Sequence, residues 1–179
     1  MYLKILFNGI LIFLLFAIQI AFIPTLPGWL GSLNLVLVVL VFILMFGSFN
    51  LAMPWALVLG FLYDTLSFSI FGLHLLSIGL AVLATNFLLN NFLTNRSLYS
   101  VAALTTFITF IYSIFIFLGG FLDGLLKQQT DFGLSKYYLM GIFEQLILNL
   151  AVTVIVFYSL NYLSGRFKPV FLSRRLRKF

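Results

Sequence analysis

Residues 60–74 read GFLYDTLSFSIFGLH, and they separate two long apolar runs, LAMPWALVL before them and LLSIGLAVLA after them. The stretch contains Asp64, one of only four acidic residues, and His74, the only histidine of the chain. Its serine and glycine residues are typical of a turn between two helices. Gly60 and Asp64 are four positions apart, so a helix would place them on one face. The stretch therefore predicts a helical hairpin with polar groups near its turn.

The composition indicates a membrane protein. Hydrophobic residues make up 63% of the 179 positions, charged residues only 8%, and the mean hydropathy is +1.20. A soluble domain of this length has too little interior to bury so much apolar side chain. Lipid must cover much of the remainder, so we expect an integral membrane protein.

Six candidate transmembrane helices result when the chain is divided at its charged and turn-forming residues. Each has close to the roughly 20 residues that cross about 30 Å of hydrocarbon. The second and third are short enough to be tilted, kinked or partly re-entrant. The first is expected to be a retained helix, because no signal-peptide cleavage site follows it. The six spans are residues 5–23, 34–49, 51–67, 73–94, 98–122 and 137–163.

The predicted fold class is therefore all-α, with a six-helix transmembrane domain over residues 1–165 and a basic tail over residues 166–179.

Basic residues predict the orientation. Lys4, Arg96 and six residues of the tail fall on one side of the membrane in this arrangement. Only Lys127 and Lys136 fall on the other side, which favours cytoplasmic termini. The net charge of +6 lies mostly in the tail, so nucleic-acid binding is not predicted.

The tail has the pattern of a short basic amphipathic helix. After Pro169, the apolar residues Leu172, Leu176 and Phe179 recur at helical spacing. Such a helix binds an anionic inner leaflet, with roughly 1 kcal/mol for each basic residue near the surface. A positive-inside topology anchor explains most of the tail's charge, and a cytoplasmic partner site is a further interpretation. The basic residues expected at the membrane surface or a cytoplasmic contact are Arg166, Lys168, Arg174, Arg175, Arg177 and Lys178.

Three titratable residues fall near the outer leaflet in this topology: Asp64, His74 and Glu144. A carboxylate within a span costs about 2.5–3.5 kcal/mol on insertion scales, so it normally faces protein or water and marks a role. The structural alternative for Asp64 is a carboxylate at a helix end that accepts hydrogen bonds from Ser67 or Ser69. For His74 the structural alternative is an interfacial ring.

Small and polar residues at four-residue spacing predict the seams between helices, since close approach at such faces drives helix association in lipid. One ridge lies on the fourth span, one on the fifth and one on the sixth. Bundle packing is favoured over a partner site for the first two. The three ridges are Ser77, Ala81 and Thr85; Ala102, Thr106, Thr109 and Ser113; and Gln145, Asn149 and Thr153.

Catalytic function is not predicted. One histidine and no cysteine leave a metal centre short of ligands. The sequence contains no GxSxG and no Gly-rich phosphate loop. No nucleophile stands beside Asp64 and His74 for acid–base work. We therefore expect no catalytic residue, no metal and no cofactor.

The segment GFLYDTLSFSIFGLHLLSIGLAVL, residues 60–83, resembles the most recognisable part of the rod shape-determining protein MreD family of bacteria. A glycine is followed four residues later by an aspartate, then by a turn of small residues and a Gly-Leu pair that opens the next helix. The total length, the span pattern and the basic end also fit this family. The positions that carry the resemblance are Gly60, Asp64, Gly72 and Leu73.

The resemblance implies a non-enzymatic scaffold of the elongasome in the bacterial inner membrane. Such proteins bind the single-span protein MreC and, through it, MreB filaments and the enzymes of peptidoglycan synthesis. The resemblance also implies that Gly60 and Asp64 shape an outer groove or cavity for the partner, with Gly72, His74 and Glu144 as further partner-binding or cavity-lining residues. Asp64 would accept hydrogen bonds from the partner or from its own loop.

The family's fold is similar to the S components of energy-coupling-factor transporters, which supplies an alternative function. An S component would use Asp64, His74 and Glu144 to line a vitamin pocket. It would dock on its membrane partner through small residues of the first helix. The first helix here, ILFNGILIFLLFAIQIAFI, carries bulky Leu, Ile and Phe residues instead. This difference favours the scaffold.

Overall fold

The structure, a computed structural model, describes residues 2–67, 70–93, 97–126 and 136–164. All regular structure in these ranges is helical. The six α-helices are α1 (Tyr2–Ala17), α2 (Leu35–Phe46), α3 (Phe49–Leu66), α4 (Leu73–Asn91), α5 (Leu98–Leu126) and α6 (Lys136–Ser164). A π-helical turn (Ile18–Phe22) extends α1, and two 3₁₀ turns (Ile23–Thr25 and Gly28–Ser32) lead from it to α2.

The predicted spans agree with these helices within a few residues, except that the end of the first span is a π-helical turn and not part of α1. Among the described residues, five stretches are long and apolar enough to cross a membrane, and they lie in α1 with the turns after it, α3, α4, α5 and α6. Helix α2 has only 12 residues, which corresponds to about 18 Å and not to the roughly 30 Å of a bilayer core. Of the two spans expected to be short, the second is a short helix, whereas the third, α3, is long enough to cross a membrane.

Helix α2 forms the centre of the bundle. Most of its apolar side chains are buried, and only the stripe of Leu35, Val39, Ile43 and Phe46 is half-buried, which is the pattern of a helix largely surrounded by other helices. It contacts α1, α3, α4, α5 and α6. The fully buried members of α2 are Val36, Leu37, Val38, Leu40 and Val41.

The start of α2 is buried, so its backbone N–H groups need partners within the protein. The carboxamide of Gln19, in the π-helical turn, provides one: it donates to the Leu33 carbonyl (2.9 Å) and accepts from the Leu35 N–H (2.7 Å). The side chain of Asn34 caps the helix and accepts from the Leu37 N–H at 3.3 Å. The π-helical turn thus presents Gln19 to the chain that returns toward α2.

Helices α3 and α4 form an antiparallel hairpin in backbone contact. A Cβ atom placed on Gly60 would lie 2.5 Å from the Cα of Leu75, closer than any side chain permits. Gly60 therefore allows the two helices to approach at this point. The α3–α4 turn defines what we call the outer end of the bundle. The inner end is where α2 and α4 stop and α3 and α5 begin.

Replacement of Gly60 by alanine tests this contact. We expect Gly60→Ala to lower the free energy of unfolding by about 1–3 kcal/mol, since overpacking must move one helix away from the other. The measurement is denaturation in mild detergent, followed by circular dichroism. Gly9→Ala on α1 is the matched control, because a Cβ there has no atom within 4 Å. Equal effects of the two substitutions would contradict the close approach.

Candidate functional site at the outer end of helices α3 and α4

Asp64 caps the N-terminus of α4 from across the hairpin turn. Its Oδ1 accepts the N–H of His74 at 2.8 Å, and its Oδ2 accepts the N–H of Leu75 at 3.0 Å. These donors belong to the first turn of α4, where no intrahelical acceptor exists. The side chain of Asp64 is only 4% exposed. Both carboxylate oxygens are therefore engaged within the chain.

The geometry explains why a carboxylate is stable at this depth. Its cost within a span, about 2.5–3.5 kcal/mol on insertion scales, is largest at the bilayer centre. Two hydrogen bonds to a charged group contribute roughly 1.5–3 kcal/mol each. The positive end of the α4 dipole adds about 0.3–1 kcal/mol more. The favourable interactions are as large as the cost or larger, so the two hydrogen bonds allow a carboxylate at this position and tie α3 to α4.

The residues after the turn have equally local roles. Gly72 adopts φ +94°, a left-handed conformation that L side chains rarely adopt. Its carbonyl accepts the N–H of Leu76 at 2.9 Å, which begins α4. The Leu73 side chain lies directly against Gly119 of α5, where no Cβ would fit without moving it. The Gly-Leu pair thus turns the chain and joins α4 to α5.

His74 lies in an aromatic cluster that joins four helices. Its ring stacks on Tyr63, with ring centroids 5.4 Å apart. Tyr63 also makes an edge-to-face contact with Phe16 of α1, at 5.5 Å. On the other side, His74 Nδ1 and the Tyr112 hydroxyl of α5 share a hydrogen bond of 3.3 Å. Sequence analysis did not single out these aromatic partners, because nothing in their spacing relates them to His74.

The structure brings together two of the three predicted titratable residues. Asp64 accepts the backbone N–H of His74, so the two residues lie next to each other, in agreement with the common depth expected for them. Glu144 makes a different contact: its Oε2 accepts the hydroxyl of Ser32, in the turn before α2, at 3.1 Å. It therefore links α6 to the connection between α1 and α2. A partner-binding or cavity-lining role for Gly60, Asp64, Gly72, His74 and Glu144 stays a prediction.

The structural alternative for Asp64 was a carboxylate at a helix end that accepts hydrogen bonds from Ser67 or Ser69. Among the described residues, backbone N–H groups of the next helix donate to this carboxylate. The Ser67 hydroxyl donates to the backbone carbonyl of Asp64, at 3.4 Å. Ser69 lies outside the described residues. The tail residues Arg166, Lys168, Arg174, Arg175, Arg177 and Lys178 also lie outside them.

A ladder of polar side chains joins α5 to α6. Each rung lies four residues further along both helices, in opposite directions, which fixes their antiparallel register. The predicted α6 ridge is confirmed, and the α4 ridge is buried as expected. On α5, Thr105 takes the place predicted for Thr106, which is exposed. The rungs are Thr105 with Thr153 (3.1 Å), Thr109 with Asn149 (2.9 Å) and Ser113 with Gln145 (3.4 Å).

Asn149 connects this ladder to the central helix. Its side chain is fully buried, its Nδ2 donates to the Thr109 hydroxyl, and its Oδ1 accepts the N–H of Asn34 at 3.0 Å. The N-terminus of α2 is therefore held near the middle of α6. Above it, the hydroxyl of Tyr138 donates to the Ser113 carbonyl at 3.0 Å.

Among the described residues, no three His, Cys, Asp or Glu side chains come together to hold a metal ion.

Comparisons of the chain with family models, with curated proteins and with solved structures found no match. What the structure shows is a multi-helix protein whose apolar helices suit a membrane.

The Asp64 cap predicts a local effect. We expect Asp64→Ala to lower the free energy of unfolding by at least about 2 kcal/mol, because two buried N–H groups lose their acceptors. Amide hydrogen exchange at His74 and Leu75 should accelerate, and mass spectrometry of the peptide that contains them measures this. Thr65→Ala is the control, since Thr65 is exposed and bonds only its own helix at Leu62. Unchanged exchange in Asp64→Ala would refute the cap.

The contact between Asn149 and Thr109 predicts a coupling energy. A double-mutant cycle of Asn149→Leu and Thr109→Val should give about 0.6 kcal/mol, and at most about 1.7 kcal/mol, as for other hydrogen bonds between helices in lipid. Ser159→Ala is the control on α6, because Ser159 is exposed and bonds only the Ile155 carbonyl. Its cycle with Thr109→Val should show additivity. Additivity in both cycles would contradict the bond.

Proposed function

We propose that this chain is a non-enzymatic scaffold of the MreD type in the bacterial inner membrane. It would bind the single-span protein MreC and link MreB filaments to peptidoglycan synthesis for the maintenance of cell shape. The observation that carries the proposal is the segment with Gly60, Asp64, Gly72 and Leu73, by which the chain resembles that family. Each of these residues has a defined part in the hairpin of this chain: a close helix contact, a helix cap, a left-handed turn and a contact with α5.

An apolar patch at the outer end of the hairpin is the contact surface that fits this proposal. Phe61 of α3 and Phe71 of the turn meet edge to face, with ring centroids 6.0 Å apart. They are 48% and 67% exposed, and Leu66 and Ile70 beside them are also exposed. Asp64, Gly60 and Gly72 hold this patch in place through the turn. In this proposal, Asp64 acts by positioning the patch and not by touching the partner.

Helix α5 extends beyond the start of α4 at this end of the bundle. Leu73 at the start of α4 contacts Gly119, and α5 continues from there to Leu126. Seven further residues correspond to about 10 Å of helix. The hairpin therefore ends below the end of α5, which leaves a step between the two ends. A partner helix, or the segment that follows it, would lie on this step. Exposed aromatic residues of this kind are frequent anchors of protein interfaces.

One observation favours the second candidate, an S component of a vitamin transporter. Glu144, half-buried, faces Ser32, and the next residue Gln145 faces Ser113. These polar groups lie on the outer side of the α2 N-terminus, where such a pocket would be. Their hydrogen bonds within the chain favour a structural use, so the scaffold remains the proposal that we prefer.

The aromatic patch provides the functional test. Tagged protein would be purified from its native membrane in gentle detergent, and co-purified proteins identified by mass spectrometry. We expect a single-span coiled-coil protein together with cell-wall synthesis enzymes. Phe61→Ala combined with Phe71→Ala should reduce this recovery at least about tenfold, since interface anchors contribute 2 kcal/mol or more each.

The control is Leu83→Ala combined with Phe87→Ala, two exposed positions of α4 away from the turn. This variant should retain the partner and rod shape. Recovery of a pair of ATPases with a multi-span coupling subunit would instead identify the vitamin transporter. Partner recovery that is equal in both variants would show that the aromatic patch is not the contact.

A further inference from the structure

The carboxylate of Glu144 has hydrogen-bonding capacity that its contacts within the chain leave unused. Its Oε2 accepts the hydroxyl of Ser32, and no other described residue donates to it. A carboxylate accepts through both of its oxygens, which together offer about four lone-pair sites. No basic side chain of the described residues forms an ion pair with Glu144 either. Its Oε1 is therefore available to a further partner.

Glu144 lies at a depth where water does not supply this partner. Its neighbour Gln145 is level with Ser113 of α5, whereas Leu73, the first residue of α4, lies against Gly119. Glu144 is thus about five residues, roughly 8 Å, further inward than the start of α4. Helix α4 is long and apolar enough to cross a membrane. The carboxylate therefore lies within the depth of the hydrocarbon, where an ionisable side chain normally has a partner.

Large apolar side chains surround Glu144 on the exposed face of α6. Met140, Phe143 and Ile147 follow one another at spacings of three and four residues, so they share one face with Glu144. They are 57%, 65% and 45% exposed. A Cβ atom placed on Gly141, one turn outward from Glu144, has no atom within 4 Å, so the chain does not cover this side. We call this surface, an apolar stripe with one carboxylate, the α6 stripe.

We propose that the α6 stripe binds a membrane-spanning helix that carries a lysine or an arginine at the depth of Glu144. A free cation has no favourable route to this depth, whereas a helix brings its basic side chain there together with apolar neighbours. An ammonium or guanidinium group donates charge-assisted hydrogen bonds, which Oε1 is free to accept. The apolar side chains of the partner would pack on Met140, Phe143 and Ile147.

Charge argues against a second copy of this chain on the α6 stripe. A two-fold axis along the membrane normal would place Glu144 of one copy at the same depth as Glu144 of the other, where like charges repel. Lys136, at the start of α6, lies about 12 Å further outward along the helix and does not share this depth. The partner is therefore a different membrane protein.

The α6 stripe is separate from the aromatic patch of the α3–α4 hairpin. Helix α6 packs on α5, on α2 and on the turn before α2, whereas α3 packs on α1, α2 and α4. The α6 stripe therefore offers a second contact, and its partner does not depend on the function proposed above.

Synthetic transmembrane peptides test the α6 stripe, because they isolate one basic side chain. Two peptides with the same Leu-Ala core would differ only in a Lys or a Leu about 8 Å below the outer boundary of the hydrocarbon. The full chain would carry an acceptor dye at Tyr162→Cys, an exposed position in a chain that has no cysteine. Energy transfer from donor-labelled peptides in phosphatidylcholine vesicles measures binding, and the choline head group has no N–H to compete.

We expect the Lys peptide to bind at least about threefold more tightly than the Leu peptide, as for other polar contacts between helices in lipid. Glu144→Gln keeps the size of the side chain and an acceptor for Ser32 but removes the charge, so it should bind both peptides equally. Ser159→Ala is the matched control on α6, because Ser159 is exposed and bonds only its own helix. This control should keep the preference for Lys.

Two outcomes would overturn the proposal. Equal binding of the two peptides by the unchanged protein would show that the carboxylate has no helix partner of this chemistry. A preference that disappears when phosphatidylethanolamine replaces phosphatidylcholine would assign the carboxylate to the ammonium groups of lipid instead. Phe61→Ala combined with Phe71→Ala should leave the preference for Lys unchanged, so a failure of the aromatic patch is seen separately.

Discussion

The contact between the Asp64 carboxylate and the first turn of α4 organises the outer half of the molecule. It satisfies two N–H groups that would otherwise have no acceptor, and it does so from the preceding helix, so α3 and α4 are fixed as a pair. Gly60, one turn below, lets the two backbones touch, and Gly72 reverses the chain between them. His74 then lies between Tyr63 and Tyr112, and through them the hairpin is joined to α1 and α5.

The same requirement, that buried backbone groups find partners, explains the centre of the fold. Helix α2 is too short to span a bilayer and begins within the protein, so water cannot satisfy its first N–H groups. Gln19 and Asn34 satisfy two of them, those of Leu35 and Leu37, and Asn149 satisfies the N–H of Asn34 from α6. Surrounding helices then cover most of the apolar side chains of α2. These polar side chains thus serve mainly to satisfy the irregular backbone that leads into the central helix of an apolar core.

Much of this architecture could be predicted from the sequence, because hydrophobic runs and turn residues are local signals. The helix limits and the proximity of Asp64 to His74 follow from them. Contacts that depend on rotation about a helix axis could not be predicted with equal success: Thr105 and not Thr106 faces α6, a difference of one residue and about 100°. The bond of Glu144 to Ser32 joins residues 112 positions apart, and no spacing rule relates them. The length of α2 became interpretable only with its neighbours in place.

The internal use of polar groups bears on the proposed function. Among the described residues, the carboxylates of Asp64 and Glu144 and the carboxamides of Gln19 and Asn149 all take part in contacts within the chain. For the proposed scaffold, the surface left for a partner is then mainly the apolar patch at the outer end of the hairpin. The Asp64 cap and the close contact at Gly60 fix the position of this patch relative to α4. A scaffold would need such a fixed surface more than it needs a reactive group.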